Sequence, residues 1–313
     1  MKPAVTARSG GGGFARLAVK NSGSPAPIQF RVASGADAPQ VAALFEEYLN
    51  DLGLSPDAEL DADMVDFPRA FTAPGDTFLL ITGPDGSLLG MGGLRGGELR
   101  RTFVRPQYRS QGLARLLALR LLQAGIATGQ TELRGVVARD NAASREKNFA
   151  CGLLPTGRTL AHPKQRDCEI LALTRPPDLG RPALLIAGGN PSHWAALLPH
   201  FTPQFNVLLV WHESVADTRE AVRAQAALGH WVGAIRCDLA HATRLAFLAE
   251  VAHTIAGPCR VLLALPGAVA TLPALRQAFA PQLAAHPAAQ VVVAAEPLCA
   301  EELSALLAAA AAR

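Results

Sequence analysis

The stretch Val104-Arg105-Pro106-Gln107-Tyr108-Arg109-Ser110-Gln111-Gly112-Leu113-Ala114 decides the fold of the first half of this 313-residue chain. A strand-like run, Glu98–Val104, ends there and a helix-like run, Leu113–Ala127, begins. Between them lies Arg-x-x-Gly-x-Ala. A strand-to-helix loop of this kind leaves several N–H groups without intrahelical partners. With the positive end of the helix dipole they form an anion site suited to a pyrophosphate. Gly112 lets the backbone approach a ligand, Ala114 keeps the helix start uncrowded, and Arg109 brings a fixed positive charge to the mouth.

The elements on either side form a consistent series. Phe30-Arg31-Val32 reads as a strand. Val41, Leu44, Phe45, Tyr48, Leu49 and Leu52 recur at helical spacing. A weaker helix is expected over 57–71, with acids at its start. Thr77–Thr82 and Leu88–Leu94 form a hairpin around Pro84-Asp85-Gly86-Ser87, where Pro sets φ and Gly supplies positive φ. After Glu98–Val104 and the helix come strand Glu132–Ala138, helix Ala142–Cys151 and strand Glu169–Thr174.

This order, the Val-x-Pro exit at Val104–Pro106 and the Arg-x-x-Gly-x-Ala loop resemble the GNAT superfamily of N-acetyltransferases over about residues 29–176. The resemblance implies an α+β fold whose mixed, mostly antiparallel sheet splays between its fourth and fifth strands, with acetyl-CoA as co-substrate. It implies that the backbone at Phe103 and Val104 holds the pantetheine arm. It implies that N–H groups of Gln111, Gly112, Leu113 and Ala114 hold the pyrophosphate beside Arg109. Asn141 is both a good N-cap and, by resemblance, a pantetheine contact. The implied chemistry is attack of an amine on the thioester. Glu98 is the candidate general base; a solvated strand-start glutamate is the alternative. The family's Tyr acid falls at Asn148, counting four back from Gly152, and Leu153 replaces the usual Phe. Asn cannot protonate a thiolate, so a domain that only binds the coenzyme stays open beside the enzyme.

Arg175-Pro-Pro-Asp-Leu-Gly-Arg-Pro182 reads as a linker, and a second α/β part follows. Apolar strands at 182–187, 206–211, 232–236, 260–265 and 290–295 alternate with helical stretches, as in a parallel sheet. This half resembles the N-terminal part of the short-chain dehydrogenase/reductases, a Rossmann-like fold. Asp238 falls where that family contacts adenine. Of the three glycines in the family's Thr-Gly-x-x-x-Gly-x-Gly, two become Ser192 and Trp194. Asn-Asn-Ala-Gly becomes Ala264-Leu265-Pro266-Gly267, and no Tyr follows Tyr108 and no Lys follows Lys164. NADP chemistry is therefore not expected. A scaffold that docks on the first domain, forms a homodimer or holds a partner is the default.

The domain boundaries that follow are leader 1–28, first domain 29–176, linker 177–181 and second domain 182–313. Net charge is +3, and neither domain is basic, so nucleic acid is not an expected partner. Five scattered cysteines form no C-x-x-C pair, and the histidines match no metal pattern. No run is long and apolar enough for a membrane span. A Gly/Ser/Pro-rich leader without an apolar core points to a cytoplasmic protein. The Ala-rich 301–313 reads as helix-forming. The acceptor amine is not legible; the acids at 57, 59, 61, 63 and 66 are expected to attract a cationic one.

Overall fold

Successive side chains of β2 (Thr77–Thr82) go to opposite faces of the sheet, and each face meets its own core. Phe78 and Leu80 join Val41, Leu44, Phe45 and Leu49 of α1 (Ala38–Leu52). Leu79 and Ile81 join Leu117 and Leu121 of α4 (Leu113–Ala127). The sheet is thus sandwiched between α1 and α4. The computed structural model describes residues 28–161, 167–174, 180–286 and 289–293. Nearly all of the leader, most of the expected linker, Lys164 and Arg166, and the Ala-rich tail lie outside the described residues.

The first sheet has seven strands: β1 (Gln29–Val32), β2, β3 (Leu88–Arg95), β4 (Glu98–Val104), β5 (Glu132–Ala138), β6 (Leu154–Ala161) and β7 (Asp167–Thr174). Their order is β1-β2-β3-β4-β5-β7-β6. Every pairing is antiparallel except β4 with β5, which run parallel and pair only at Glu98↔Arg134 and Leu99↔Gly135. Beyond Leu99 the two strands part. The cause lies in β4. Met91 faces Phe103, yet Gly93 faces Arg100, so β4 carries one residue more than β3 across this interval. Arg101, in the interval, has φ +55°. Such a bulge bends and twists its strand, which carries the end of β4 away from β5.

Two expectations change. The helix expected over 57–71 is broken into two turns, α2 (Ala62–Val65) and α3 (Phe67–Ala70). Asp66 sits between them at φ −125°, ψ 56°, and Pro68 has no N–H to carry the helix ladder across. Strand β6, which contains Pro155 and Gly157, is absent from the expected series. It pairs only with β7, with a register slip between Pro155 and Thr159, and an edge strand tolerates both residues.

The second sheet is all parallel: β8 (Ala183–Ala187), β9 (Asn206–Trp211), β10 (Val232–Arg236), β11 (Cys259–Ala264) and β12 (Gln290–Val293), in the order β10-β9-β8-β11-β12. All residues of β8 and β9 are buried, as continuous apolar runs covered on both faces require. The crossovers are α6 (Pro191–Phe201), α7 (Val215–Ala227), α8 (Ala242–Ala256) and α9 (Leu272–Ala284).

The two sheets share one apolar core. At the junction Phe149 of α5 (Ala142–Ala150) lies 5.5 Å from Trp211, centroid to centroid. Trp231 Nε1 donates to Thr174 O at 2.8 Å, and Arg223 Nη2 to Thr156 O at 2.8 Å. Glu146 pairs with Arg236. Gly152 sits here at φ +85°, and a Cβ on it would fall 2.8 Å from Ile255 Cδ1. The positive φ favours glycine, and a side chain would also have to displace the end of Ile255. Among the described residues no helix is long and apolar enough to cross a membrane, and no cluster of His, Cys, Asp and Glu could hold a metal.

Candidate functional site

The loop from β4 into α4 begins with a 3-10 turn, Pro106–Tyr108. Ser110 then takes φ +64° and Gly112 φ +80°. These two left-handed residues curl the backbone so that α4 starts at Leu113 with Gly112 as its N-cap. The carbonyl of Gly112 accepts from Arg115 N and Leu116 N at 3.0 and 3.1 Å. The five N–H groups from Ser110 to Ala114 donate to no described residue. A Cβ on Gly112 would meet nothing within 4 Å, so the space beside Gly112 is open. Gln111, Gly112, Leu113 and Ala114 are thereby brought together as donors.

Arg109 is not a free charge at the mouth. Its Nη2 pairs with Asp51 at 2.6 Å, its Nε donates to Val104 O at 3.0 Å, and its guanidinium lies 5.6 Å from the Phe103 ring centroid. Arg109 therefore ties the loop to α1 and to the end of β4.

The gap between β4 and β5 begins one strand-end away. Arg105 N donates to Leu89 O, so Arg105 and Leu89 form a hydrogen-bonded antiparallel pair. By alternation Phe103 and Met91 form the next such pair, and Val104 between them turns its N–H and C=O toward the gap. Phe103 O lies over Gly90, where an added Cβ would meet it at 2.6 Å. The Phe103 backbone is turned to β3, and its ring lies on the α1 face. Val104 does face the gap, with its carbonyl taken by Arg109.

Glu98 lies at the closed end, where β4 and β5 still pair. Its carboxylate is held by Arg100 Nε at 3.2 Å and Arg134 Nε at 3.3 Å. Asn141 caps α5, its Oδ1 accepting from Ser144 N at 3.0 Å, so the capping role is in place. Asn148 is 1% exposed and faces Gly135 of β5, the partner of Leu99 and so a member of the last pair before β4 and β5 part. Its Nδ2 donates to Ser144 O at 2.9 Å, while its Oδ1 accepts nothing. A buried acceptor without a donor is costly, and this one lies where the strands separate.

Sequence reasoning missed the other wall. Arg101 donates to Asp63 at 2.6 and 3.2 Å, to Asp61 at 3.1 Å and to Leu60 O at 2.7 Å. Arg100 reaches Asp63 at 3.1 Å. Asp61 and Asp63 are buried and neutralised, so they do not form the acidic surface expected to draw in a cation. Tyr48 of α1 packs edge-on against Phe103 at 5.8 Å. Burial holds its hydroxyl above the usual phenol range, opposed by nearby Arg101. A signal was present: Arg100 and Arg101 are adjacent charges inside a strand, which breaks the two-residue alternation and marks a bulge.

On α5, Lys147 is half-buried, and burial lowers its pKa to about 8. Burial pushes the neighbouring Cys151 thiol up to about 12, so it is inert as a nucleophile. In the second sheet, Trp194 Nε1 donates to Gly188 O at 3.0 Å. Cβ positions at Gly188 and Gly189 are closed off by Ala268, Pro266 O and Leu265. The glycine loop after β8 is filled by the protein's own side chains.

Residues 41–146, about a third of the chain, match the acetyltransferase (GNAT) family. Among solved structures, a GNAT-family acetyltransferase of Staphylococcus aureus Mu50 is similar at 12% identity and a TM-score of 0.40, over 47% of this chain and 98% of that one. An acetyltransferase of Streptococcus agalactiae is similar at 14% and 0.40, over 47% and 98%. A Salmonella typhimurium protein solved with its cofactor acetyl-CoA is similar at 19% and 0.39, over 48% and 98%. A comparison with curated proteins gives no match. The family match and the splayed seven-stranded sheet place the first unit in the GNAT fold; the second unit is a separate, all-parallel α/β sheet.

Proposed function

We propose that the chain is an acetyl-CoA-dependent N-acetyltransferase acting on an amine. The observation that carries this is the run of five unpartnered N–H groups at Ser110–Ala114, with open space at Gly112, at the start of a helix. That donor set fits a pyrophosphate, and the family match over the same residues supports it. Coenzyme A in acetylated form supplies an activated acyl group. Val104 N–H, turned into the gap, offers a donor to the pantetheine arm or to the thioester oxygen. Asn148 Oδ1 offers an acceptor at the point of separation, suited to a coenzyme amide N–H or to the incoming amine. It orients and does not donate a proton to sulfur, so the leaving thiolate takes its proton from water. Glu98, clamped by Arg100 and Arg134, remains the candidate base and acts through water. Incubation with acetyl-CoA and a panel of amines, followed by thiol release, tests this reading; amine-dependent release supports it, and release at the no-amine rate for every amine refutes it.

A second reading, a coenzyme-binding module without turnover, is favoured by Asn148, which has no titratable proton. It predicts saturable coenzyme binding with no thiol release. Reductase chemistry in the second unit has the filled Trp194 loop against it, and NADP is not part of the proposal.

A further inference from the structure

A cleft open to solvent lies between the two units. It opens beyond the carboxyl ends of β9 and β10, against the first turn of α4 and the last turns of α5. Arg115 enters it from the first unit, and Arg236 and Arg244 from the second, with His212 at the rim. Arg115 makes no side-chain hydrogen bond or ion pair among the described residues. Arg244 spends only Nη1, on Asp238 at 3.3 Å. Arg236 spends Nη1 on Glu146 and Nε on His212 O, and its plane lies 5.2 Å from the Trp211 ring centroid. A guanidinium has five N–H donors, so all three keep donors to spare. Three guanidiniums face two carboxylates, Glu146 and Asp238. The remaining wall, Ile235, Phe247 and Leu248, is apolar.

Arg115 is the third residue of α4, one helical turn from the open donors of the loop. A molecule with its pyrophosphate on Ser110–Ala114 is therefore within about 5 Å of the cleft along the helix axis. Spare guanidinium donors beside an apolar wall suit a phosphorylated nucleoside: phosphate on arginine, base on Phe247. We propose that this cleft binds a phosphorylated adenosine, the nucleotide end of the coenzyme, so that the second unit completes the coenzyme site. This rests on the reading of the first unit as a coenzyme A site. A free nucleotide carries the same chemistry, and the test separates the two.

The full chain is titrated calorimetrically with acetyl-CoA, with its 3′-dephospho form and with adenosine 3′,5′-bisphosphate. Loss of the 3′-phosphate should weaken binding about tenfold, the scale of one charge-assisted hydrogen bond. Arg244→Ser should weaken acetyl-CoA by a similar factor and leave the dephospho form unchanged. Arg115→Gln, which has no partner to lose, should do the same in a protein with an unaltered melting curve. Equal affinities with and without the 3′-phosphate, or full affinity in both variants, overturn the proposal. If acetyl-CoA fails to bind while the bisphosphate binds through Arg244, the first-unit reading falls and the cleft is a free-nucleotide site. If neither binds, both readings fall.

Discussion

Asp63→Asn tests whether the acids after α1 are structural. Asp63 is 3% exposed and accepts three hydrogen bonds from guanidinium groups, two from Arg101 and one from Arg100. Charge-assisted bonds are worth about 1.5–3 kcal/mol each, but the substitution does not lose them all. Arg101 keeps Asp61 and Leu60 O, and Arg100 is one-third exposed and keeps Glu98. The expected loss is about 3 kcal/mol, at the lower end for breaking a buried pair. For a unit of this size that is a drop of roughly 6–12 °C in Tm. Asp66→Asn is the control, because Asp66 meets only the exposed Arg69, at 3.9 Å. Far-UV circular dichroism melts and urea midpoints of both variants give the comparison. If Asp63→Asn melts like Asp66→Asn, the buried network is not what holds the bulge. Asp63 would then be free to act as the cation-attracting acid that its sequence context suggests.

Asn148→Leu should move stability and activity in opposite directions: removing an unpaired buried acceptor raises stability by about 1 kcal/mol, while thiol release falls. Unchanged thiol release would show that Asn148 positions nothing. Gly152→Val places a side chain at φ +85° and against Ile255; strain and overpacking should cost about 3 kcal/mol, read as a lower urea midpoint, and a loss under 1 kcal/mol would mean the units are not packed as described. Lys147 titrates near 8 folded and near 10.5 unfolded, so the unfolded chain binds more protons between those values and stability rises with pH there. Lys147→Met should exceed the wild type at pH 7 by on the order of 2 kcal/mol, and the difference should shrink by pH 9.5; a pH-independent difference would contradict a lowered Lys147 pKa.

The phosphate loop was legible because its signals are local: a glycine, a strand before it and a helical period after it. The five strands of the second sheet were legible as mainly apolar runs alternating with helical stretches. What was not legible depends on distant partners. The acids at 61 and 63 look like a solvated face until Arg101, some 40 residues on, turns inward at a bulge. Arg109 reads as a free cation until Asp51 is brought to it by α1. The junction through Phe149, Trp211 and Gly152 leaves no periodic trace, and neither does the cleft beside it. Asn148 was recognised as a departure from the expected Tyr, but its unpaired oxygen is a property of packing.

The most direct test of the account is a calorimetric titration of the full chain with acetyl-CoA, for the wild type and for Gly112→Trp. One saturable site is expected in the wild type and none in the variant, whose indole would fill the open space beside Gly112. Ligand at 100 times Kd should also add about 2.7 kcal/mol to wild-type stability. A folded wild type that takes up no acetyl-CoA, or a folded Gly112→Trp variant that binds it unchanged, would contradict the coenzyme site and the proposed reaction with it.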